Sequence, residues 1–238
     1  AQRTLPRWRS DTFWRSSDQW LFASAAQTLR DAAAGKKTAV LFVDTFNGTF
    51  ETENAVAAAD VLSAAGYTLH SVGKAGGHHC CGRTYLASGM VDEAKARVSA
   101  LIDALLPFAQ AGIAIVGLEP SCLLTLRDEA LVMGLGERAE IVAGQALLFE
   151  EFVAREAQAG RFDINLKPAG APILLHGHCH QKAFGAVSPV LDVLRLIPGA
   201  QPELIDSSCC GMAGSFGVDA AHHEVSMQMA ELSLLPAI

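Results

Sequence analysis

The stretch AGGHHCCG at residues 75–82 ends in two adjacent cysteines and a glycine, and the same Cys-Cys-Gly triplet recurs in DSSCCG at residues 206–211. Each triplet follows a short apolar run. Two adjacent thiols on one turn cannot both point into a core. Each pair is therefore expected at a place where sulfur binds a ligand or does chemistry, and these two turns organise the rest of the chain.

Length and charge narrow the classes of protein. With 238 residues, half of them hydrophobic, the chain can build one large domain or two smaller ones. The net charge of −7 argues against a nucleic-acid partner. The longest apolar run, residues 104–118, contains Pro107 and is too short for a transmembrane segment. No secretory signal precedes the first predicted strand, so the sequence predicts a cytoplasmic protein, with peripheral attachment at the inner membrane face as an option.

The six cysteines are interpreted as reduced thiols or metal ligands. Three disulfides are the alternative, but vicinal cysteines pair poorly with each other and a core of this size does not need them. No cysteine is predicted in the middle of a helix, where a thiol that only fills space would be expected.

The hydrophobic pattern predicts an α/β fold made of two pseudo-repeated units, each a small parallel sheet flanked by helices, with a cysteine-lined cleft between them. Apolar runs predict strands in both halves, among them 39–43 and 173–175, and one amphipathic helix over 141–157. Pro107 is expected to mark the end of a helix that starts at Val91. The predicted parts are residues 1–35 (an N-terminal strap with Trp8, Trp14 and Trp20, then a helix), 36–135 (first half), 136–170 (connector with one helix) and 171–238 (second half, truncated).

Candidate ligand residues follow the predicted strands, where parallel sheets form their binding crevice. Glycines at 76, 77 and 82, and at 211, 214 and 217, would permit positive φ and a close approach of the backbone to a bulky inorganic group. The predicted metal ligands are Cys80, Cys81, Cys122, Cys179, Cys209 and Cys210, and His78, His79, His178 and Glu119 are further metal or redox-site candidates.

The paired motif resembles the cysteine-rich CCG domain found in the B-type subunit of heterodisulfide reductase and in glycolate oxidase iron–sulfur subunits. The likeness is strongest to the C-terminal region of FAD-linked D-lactate or D-2-hydroxyglutarate dehydrogenase-like proteins, and it covers residues 36–238. In that family each half has a lone Cys, then Cys-Cys-Gly, then Cys-x-x-Cys. Here Thr45 stands where the first lone Cys would be and Glu119 where the first Cys-x-x-Cys would begin. The spacing from Cys81 to Cys122 puts the last motif of the second half beyond Ile238, which predicts a truncated chain.

The resemblance implies an iron–sulfur electron-transfer domain of a flavin-dependent 2-hydroxy acid oxidoreductase. A 4Fe-4S-type cluster would be held in the full-length protein, and FAD would lie on a domain outside this chain. The implied partners are upstream flavin and ferredoxin-type domains and an acceptor such as a quinone or another iron–sulfur protein. The isolated piece is expected to be inactive. Three alternatives stay open: a redox-active thiol, a docking module whose cysteines are vestigial, and a zinc site in which cysteines are joined by histidines among His78, His79, His176, His178 and His180.

Overall fold

The computed structural model describes residues 3–16, 22–73 and 78–238. The expectations for Gly76, Gly77 and Trp20 fall outside these ranges. The chain divides into two compact units. The larger unit comprises residues 8–164, and the smaller unit combines residues 165–238 with the N-terminal residues up to Arg7.

A parallel sheet forms the centre of the larger unit. Among the described residues it has four strands in the order β2-β1-β3-β4: β1 (Thr38–Phe42), β2 (Thr68–His70), β3 (Ala114–Gly117) and β4 (Ala146–Leu148). Val40 in β1 aligns with His70 in β2 and with Ile115 in β3. Ala39 to Phe42 and all of β3 are buried, which explains their unbroken apolar sequence.

Helices pack against this sheet and connect its strands. Asp44 caps the first helix after β1, accepting hydrogen bonds from the backbone N–H groups of Phe46 at 2.9 Å and Asn47 at 3.1 Å. Glu119 caps the first helix after β3, and Pro120 follows at its first turn. The helices are α1 (Phe13–Ser16), α2 (Ala25–Ala33), α3 (Thr45–Thr49), α4 (Thr52–Ala64), α5 (Arg83–Ala87), α6 (Val91–Gln110), α7 (Pro120–Arg127), α8 (Glu129–Val132), α9 (Glu137–Gln145) and α10 (Phe149–Gln158).

Two predictions for the larger unit are corrected. The single helix expected over 141–157 is two helices, α9 and α10, with β4 between them. Its apolar residues Ala146 and Leu148 are buried beside β3, so pairing with the sheet overrides the helical pattern. Pro107 does not end α6, which continues to Gln110 because Phe108 and Ala109 are buried in the core.

The smaller unit has a two-stranded parallel sheet, β5 (Ile173–Leu175) and β6 (Pro202–Leu204), with Leu174 opposite Glu203. Its helices are α11 (Cys179–Ala183), α12 (Ser188–Arg195) and α13 (His223–Glu231). The prediction of small parallel sheets flanked by helices is confirmed in both units. The predicted part boundaries stay predictions. In the described residues, no helix combines the length and the apolar character needed to cross a membrane.

Candidate functional site

The sheet order of the larger unit creates a crevice at the carboxyl ends of β1 and β3. The chain leaves β1 towards β2 on one side, and it leaves β3 towards β4 on the other side. Connections that diverge from two neighbouring parallel strands leave a gap where ligands bind. Asp44 and Thr45 follow β1, and Glu119 and Cys122 follow β3. Three of the residues singled out in the sequence thus flank this gap, together with Asp44.

Three thiols of the larger unit lie together. Cys81 hydrogen-bonds both Cys80 and Cys122. Cys81 and Cys122 are buried, and Cys80 is half-buried. Cys122 lies in the first turn of α7, so a residue far along the chain completes the group begun by the Cys-Cys-Gly turn.

The environment keeps these thiols protonated. The hydrogen bond with Cys81 and burial raise the pKa of Cys80, and the hydrogen bond with Cys122 raises the pKa of Cys81. The bond to Cys81 lowers the pKa of Cys122, but burial and the nearby carboxylates of Asp44 and Glu119 outweigh it, so that this pKa is also raised. Burial likewise raises the pKa of Asp44 despite its hydrogen bonds from Asn47. Carboxyl groups and thiols crowd together here, and negative charge on them is unfavourable unless a positive charge is close by. The site therefore favours binding of a positively charged group.

The two predicted histidines of this unit differ in their contacts. His78 places Nε2 2.7 Å from Oγ1 of Thr45, whose hydroxyl also hydrogen-bonds Cys80. The ring of Trp14 lies over His78, with 4.4 Å between centroids. His79 is half-buried, and burial lowers its pKa. His78 is therefore connected to the thiols by hydrogen bonds through Thr45, the residue at the position of the lone cysteine in the motif.

The Cys-Cys-Gly turn has the same geometry in both units. The backbone N–H of Gly82 points to Sγ of Cys80 at 3.4 Å, and that of Gly211 points to Sγ of Cys209 at 3.3 Å. Both glycines have φ of 77°. A Cβ on Gly82 would lie 2.7 Å from the carbonyl oxygen of Ala94, and one on Gly211 would collide with the carbonyl oxygen of Ser226. Both turns thus need glycine for two reasons. The backbone is left-handed there, and a side chain would collide with a later helix, α6 for Gly82 and α13 for Gly211.

The thiols of the smaller unit are less buried. Cys179 is exposed at the start of α11, and Cys209 and Cys210 are half-buried. Burial, followed by the neighbouring Cys209, raises the pKa of Cys179. The structure thus brings Cys179 to the second Cys-Cys-Gly turn. His178 caps α11 by accepting a hydrogen bond from the backbone N–H of His180 at 3.1 Å, a structural task for this predicted ligand.

Lys182 was not predicted at the second site, and His176 was considered only as one of several histidines that could bind zinc. Lys182 donates hydrogen bonds to the carbonyl oxygens of Ser207 at 2.5 Å and Ser208 at 3.1 Å, directly before Cys209. Nδ1 of His176 lies 2.7 Å from Oγ of Ser207. The available signal was position: His176 and Lys182 flank Cys179 in the HGHCHQK stretch.

The potential metal ligands of each unit suit an iron–sulfur cluster better than a single zinc ion. Within residues 3–16, 22–73 and 78–238, no three His, Cys, Asp or Glu side chains are arranged to hold a single metal ion. A lone zinc ion would therefore require these side chains to rearrange. An iron–sulfur cluster spreads its ligands over several iron atoms, and its preferred donor is the thiolate. The donors of each unit fit such a cluster in kind, with three thiols where a Cys₄ site has four.

The segment that contains the first Cys-Cys-Gly turn matches a known protein family. Residues 45–127 match the family of cysteine-rich domains called CCG. The chain contains a CCG domain. The matched segment runs from Thr45 at the end of β1 to Arg127 at the end of α7, and so includes the three thiols of the larger unit. The predicted resemblance is confirmed.

The curated relatives of this chain are dehydrogenases or their subunits. The chain is 28% identical over 236 residues to a subunit of the anaerobic glycerol-3-phosphate dehydrogenase of Escherichia coli, a match that covers 94% of this chain and 54% of the relative. It is 31% identical over 133 residues to D-2-hydroxyglutarate dehydrogenase of the same organism, which covers 55% of this chain and 12% of the relative. The chain thus spans about half of the first relative and a small part of the second. No solved structure matches the chain.

Proposed function

We propose that this chain is an electron-transfer module of an oxidoreductase, in which the Cys-Cys-Gly turns hold an iron–sulfur cluster. The observation that carries the proposal is the group formed by Cys80, Cys81 and Cys122, three thiols from a turn and a helix start that are hydrogen-bonded in a row at the edge of the sheet. Convergence of thiols from separate loops is what such a cluster requires. When bound, the cluster would accept and pass on single electrons.

The residues of the chain have distinct tasks in this proposal. The three cysteines of the larger unit, and Cys179, Cys209 and Cys210 in the smaller unit, are the proposed ligands. Gly82 and Gly211 let the backbone turn tightly behind each pair, and their N–H groups donate to the first sulfur of the pair. Such N–H to sulfur hydrogen bonds tune the potential of a thiolate-bound centre. Asp44 and Glu119 supply negative charge beside Cys122.

The substrate proposal follows from the chemistry of the two relatives. Glycerol-3-phosphate and D-2-hydroxyglutarate are both named as substrates of dehydrogenases, and each carries a secondary hydroxyl group whose oxidation releases two electrons. We propose that a flavin on a domain outside this chain takes these electrons from a 2-hydroxy acid or a related secondary alcohol. The CCG module would pass them singly to an acceptor such as a quinone or another iron–sulfur protein. A cytoplasmic location, with peripheral attachment at the inner membrane face, suits this role.

A thiol-redox role receives less support than the cluster. A nucleophilic cysteine works as the thiolate and lies where its pKa is lowered. The pKa of Cys80, Cys81, Cys122 and Cys179 is raised instead.

Anaerobic reconstitution with iron and sulfide tests the proposal. The wild-type chain should bind iron and inorganic sulfide together and gain broad visible absorbance. Cys80→Ser combined with Cys81→Ser should lower the iron content of the larger unit, whereas the control Ser88→Ala, at an exposed position after α5, should not. Stoichiometric zinc without sulfide, or iron content unchanged by the double substitution, would refute the cluster assignment.

A further inference from the structure

The N-terminal arm, defined as residues 3–16, contacts each cysteine site through one side chain. Residues up to Arg7 belong to the smaller unit and residues from Trp8 onwards to the larger one. Arg3 reaches the second Cys-Cys-Gly turn and Trp14 reaches the surroundings of the first. Each occupies a space that a glycine leaves open, and each is linked to the turn through other side chains, one for Arg3 and two for Trp14.

Arg3 lies inside the loop that follows the second Cys-Cys-Gly turn. Its guanidinium donates to the carbonyl oxygen of Gly217 at 2.5 Å and to Oγ of Ser226 at 2.7 Å. It also contacts the sulfur atoms of Met212 at 3.0 Å and Met227 at 3.1 Å. A Cβ on Gly217 would lie 2.6 Å from Nη1 of Arg3, so only glycine leaves room for the guanidinium.

Ser226 transmits this contact to the turn. It is fully buried in α13, and its hydroxyl donates to the carbonyl oxygen of Gly211 at 2.6 Å. The same hydroxyl oxygen accepts from Arg3, so the two hydrogen bonds form a continuous path from the arm to the residue that follows Cys210. A bond to a charged donor contributes more than a neutral one, and a buried hydroxyl is costly to leave unpaired. Arg3 therefore fixes the backbone that presents Cys209 and Cys210.

Trp14 has the corresponding position in the larger unit. Its indole ring fills the space beside Gly48 of α3, where a Cβ would collide with the ring. The ring also covers His78, whose Nε2 is 2.7 Å from the hydroxyl of Thr45. Thr45 in turn hydrogen-bonds Cys80. Phe13, which is 1% exposed, anchors the arm here with its ring edge-on to Trp14.

We infer that the N-terminal arm carries one positioning residue for each cysteine site, Arg3 for the second Cys-Cys-Gly turn and Trp14 for the first. The observation that decides this is the repeated pattern of an arm side chain, a glycine gap and a short chain of contacts, through Ser226 from Arg3 and through His78 and Thr45 from Trp14. The inference does not depend on the group that the thiols hold. The inference concerns how rigidly the two turns hold their thiols, and this rigidity can be measured in the metal-free chain.

Alkylation rates at individual cysteines, measured by mass spectrometry on the reduced, metal-free chain with iodoacetamide, test the inference. Arg3→Ala should speed alkylation of Cys209 and Cys210 about tenfold, because loss of a charged hydrogen bond lets the turn open more often. It should leave Cys80, Cys81 and Cys122 unchanged. Trp14→Ala should do the reverse. In each variant, the cysteines of the other unit are the internal control for global unfolding.

Matched controls come from the same arm. Arg7→Ala removes an exposed arginine, and Trp8→Ala removes a tryptophan that is 85% exposed, so neither should change any rate. Arg3→Lys keeps the charge but not the planar fork, and should give an intermediate rate at Cys209 and Cys210. Unchanged rates in Arg3→Ala and Trp14→Ala, or an equal increase at all six cysteines, would overturn the inference. If Arg3→Ala does not fold, an unchanged pattern in Arg3→Lys would overturn the part that concerns Arg3.

Discussion

Replacing Gly82 by alanine tests whether the Cys-Cys-Gly turn needs glycine for its backbone, for its packing, or for both. Gly82 has φ of 77°, and its missing side chain faces the carbonyl oxygen of Ala94 in α6. Gly89, at the end of α5, offers a matched control, because its φ is 76° and nothing lies within 4 Å of the position its Cβ would take. The two substitutions therefore share the backbone cost and differ in the contact.

The magnitude follows from these two terms. A left-handed backbone costs a non-glycine residue about 1 to 2 kcal/mol, and Gly89→Ala should lose only this amount. A Cβ on Gly82 would lie 2.7 Å from a backbone oxygen, which cannot swing aside as a flexible side chain can. Overpacking of this kind adds about 1 to 3 kcal/mol. Gly82→Ala should therefore lose about 2 to 5 kcal/mol of unfolding free energy.

Urea-induced unfolding followed by far-ultraviolet circular dichroism measures both variants against the wild type. The difference between Gly82→Ala and Gly89→Ala isolates the contact with α6, because the shared backbone term cancels. Equal losses in the two variants would refute the packing argument and leave only the φ requirement. In the smaller unit Gly211→Ala and Gly214→Ala form a second pair, since both glycines have positive φ and only Gly211 faces a helix, at Ser226.

Two further substitutions test the charged groups. Glu156 accepts hydrogen bonds from Tyr67 and Arg161, both at 2.7 Å, and its pKa is lowered to about 2, first by Arg161. Because the folded pKa lies below the unfolded value, this stabilisation is present above about pH 5 and is lost as the pH falls towards 2. Allowing for solvent screening of the exposed arginine, Glu156→Gln should lower the free energy of unfolding by about 2 kcal/mol at neutral pH. Urea titrations at several pH values should also show that the variant loses less stability than the wild type as the pH falls from about 5 to about 2. An equal loss of stability in acid would contradict this role of Glu156. Lys182→Met should destabilise the Ser207–Ser208 segment by about 1 to 3 kcal/mol and speed alkylation of Cys209, because it removes two hydrogen bonds to the backbone. The control Lys167→Met, at an exposed position, should have neither effect. Equal alkylation rates in the two variants would count against a role for Lys182.

The hydrophobic pattern was sufficient for the main strands. The strand predicted over 39–43 is Thr38–Phe42, and the one predicted over 173–175 is Ile173–Leu175. Both are short apolar runs that end at polar or glycine-containing loops, so the local signal and the tertiary environment agree. β4 gave no comparable signal, because its three residues continue the apolar pattern of the flanking helices and become a strand only by pairing with β3.

The candidate site was predictable in its residue types but not in its supports. Cysteines placed after successive strands were expected to meet, and within each unit the structure brings them together. The roles of His78, His79, His178 and Glu119 as metal ligands stay predictions. The contact between Arg3 and Ser226 joins residues 223 positions apart, and no local pattern encodes such a pair. The tryptophans of the N-terminal segment did indicate a strap, but only the structure places Arg3 and Trp14 near the two Cys-Cys-Gly turns.

The two Cys-Cys-Gly turns share a backbone, but different charged side chains act on their thiols, and this difference bears on the proposed function. In the larger unit the carboxylates of Asp44 and Glu119 act on Cys122 and oppose its ionisation, so negative charge on the thiols is disfavoured until a cationic group joins them. In the smaller unit burial and the neighbouring Cys209 raise the pKa of Cys179, and the ammonium of Lys182 offsets this rise only in part. A pair of identical turns would give two equivalent sites if the turn alone set their chemistry. Because carboxylates act on a thiol of the larger unit and an ammonium acts on a thiol of the smaller unit, the two sites are inequivalent even before any ligand binds, although the thiol pKa is raised in both.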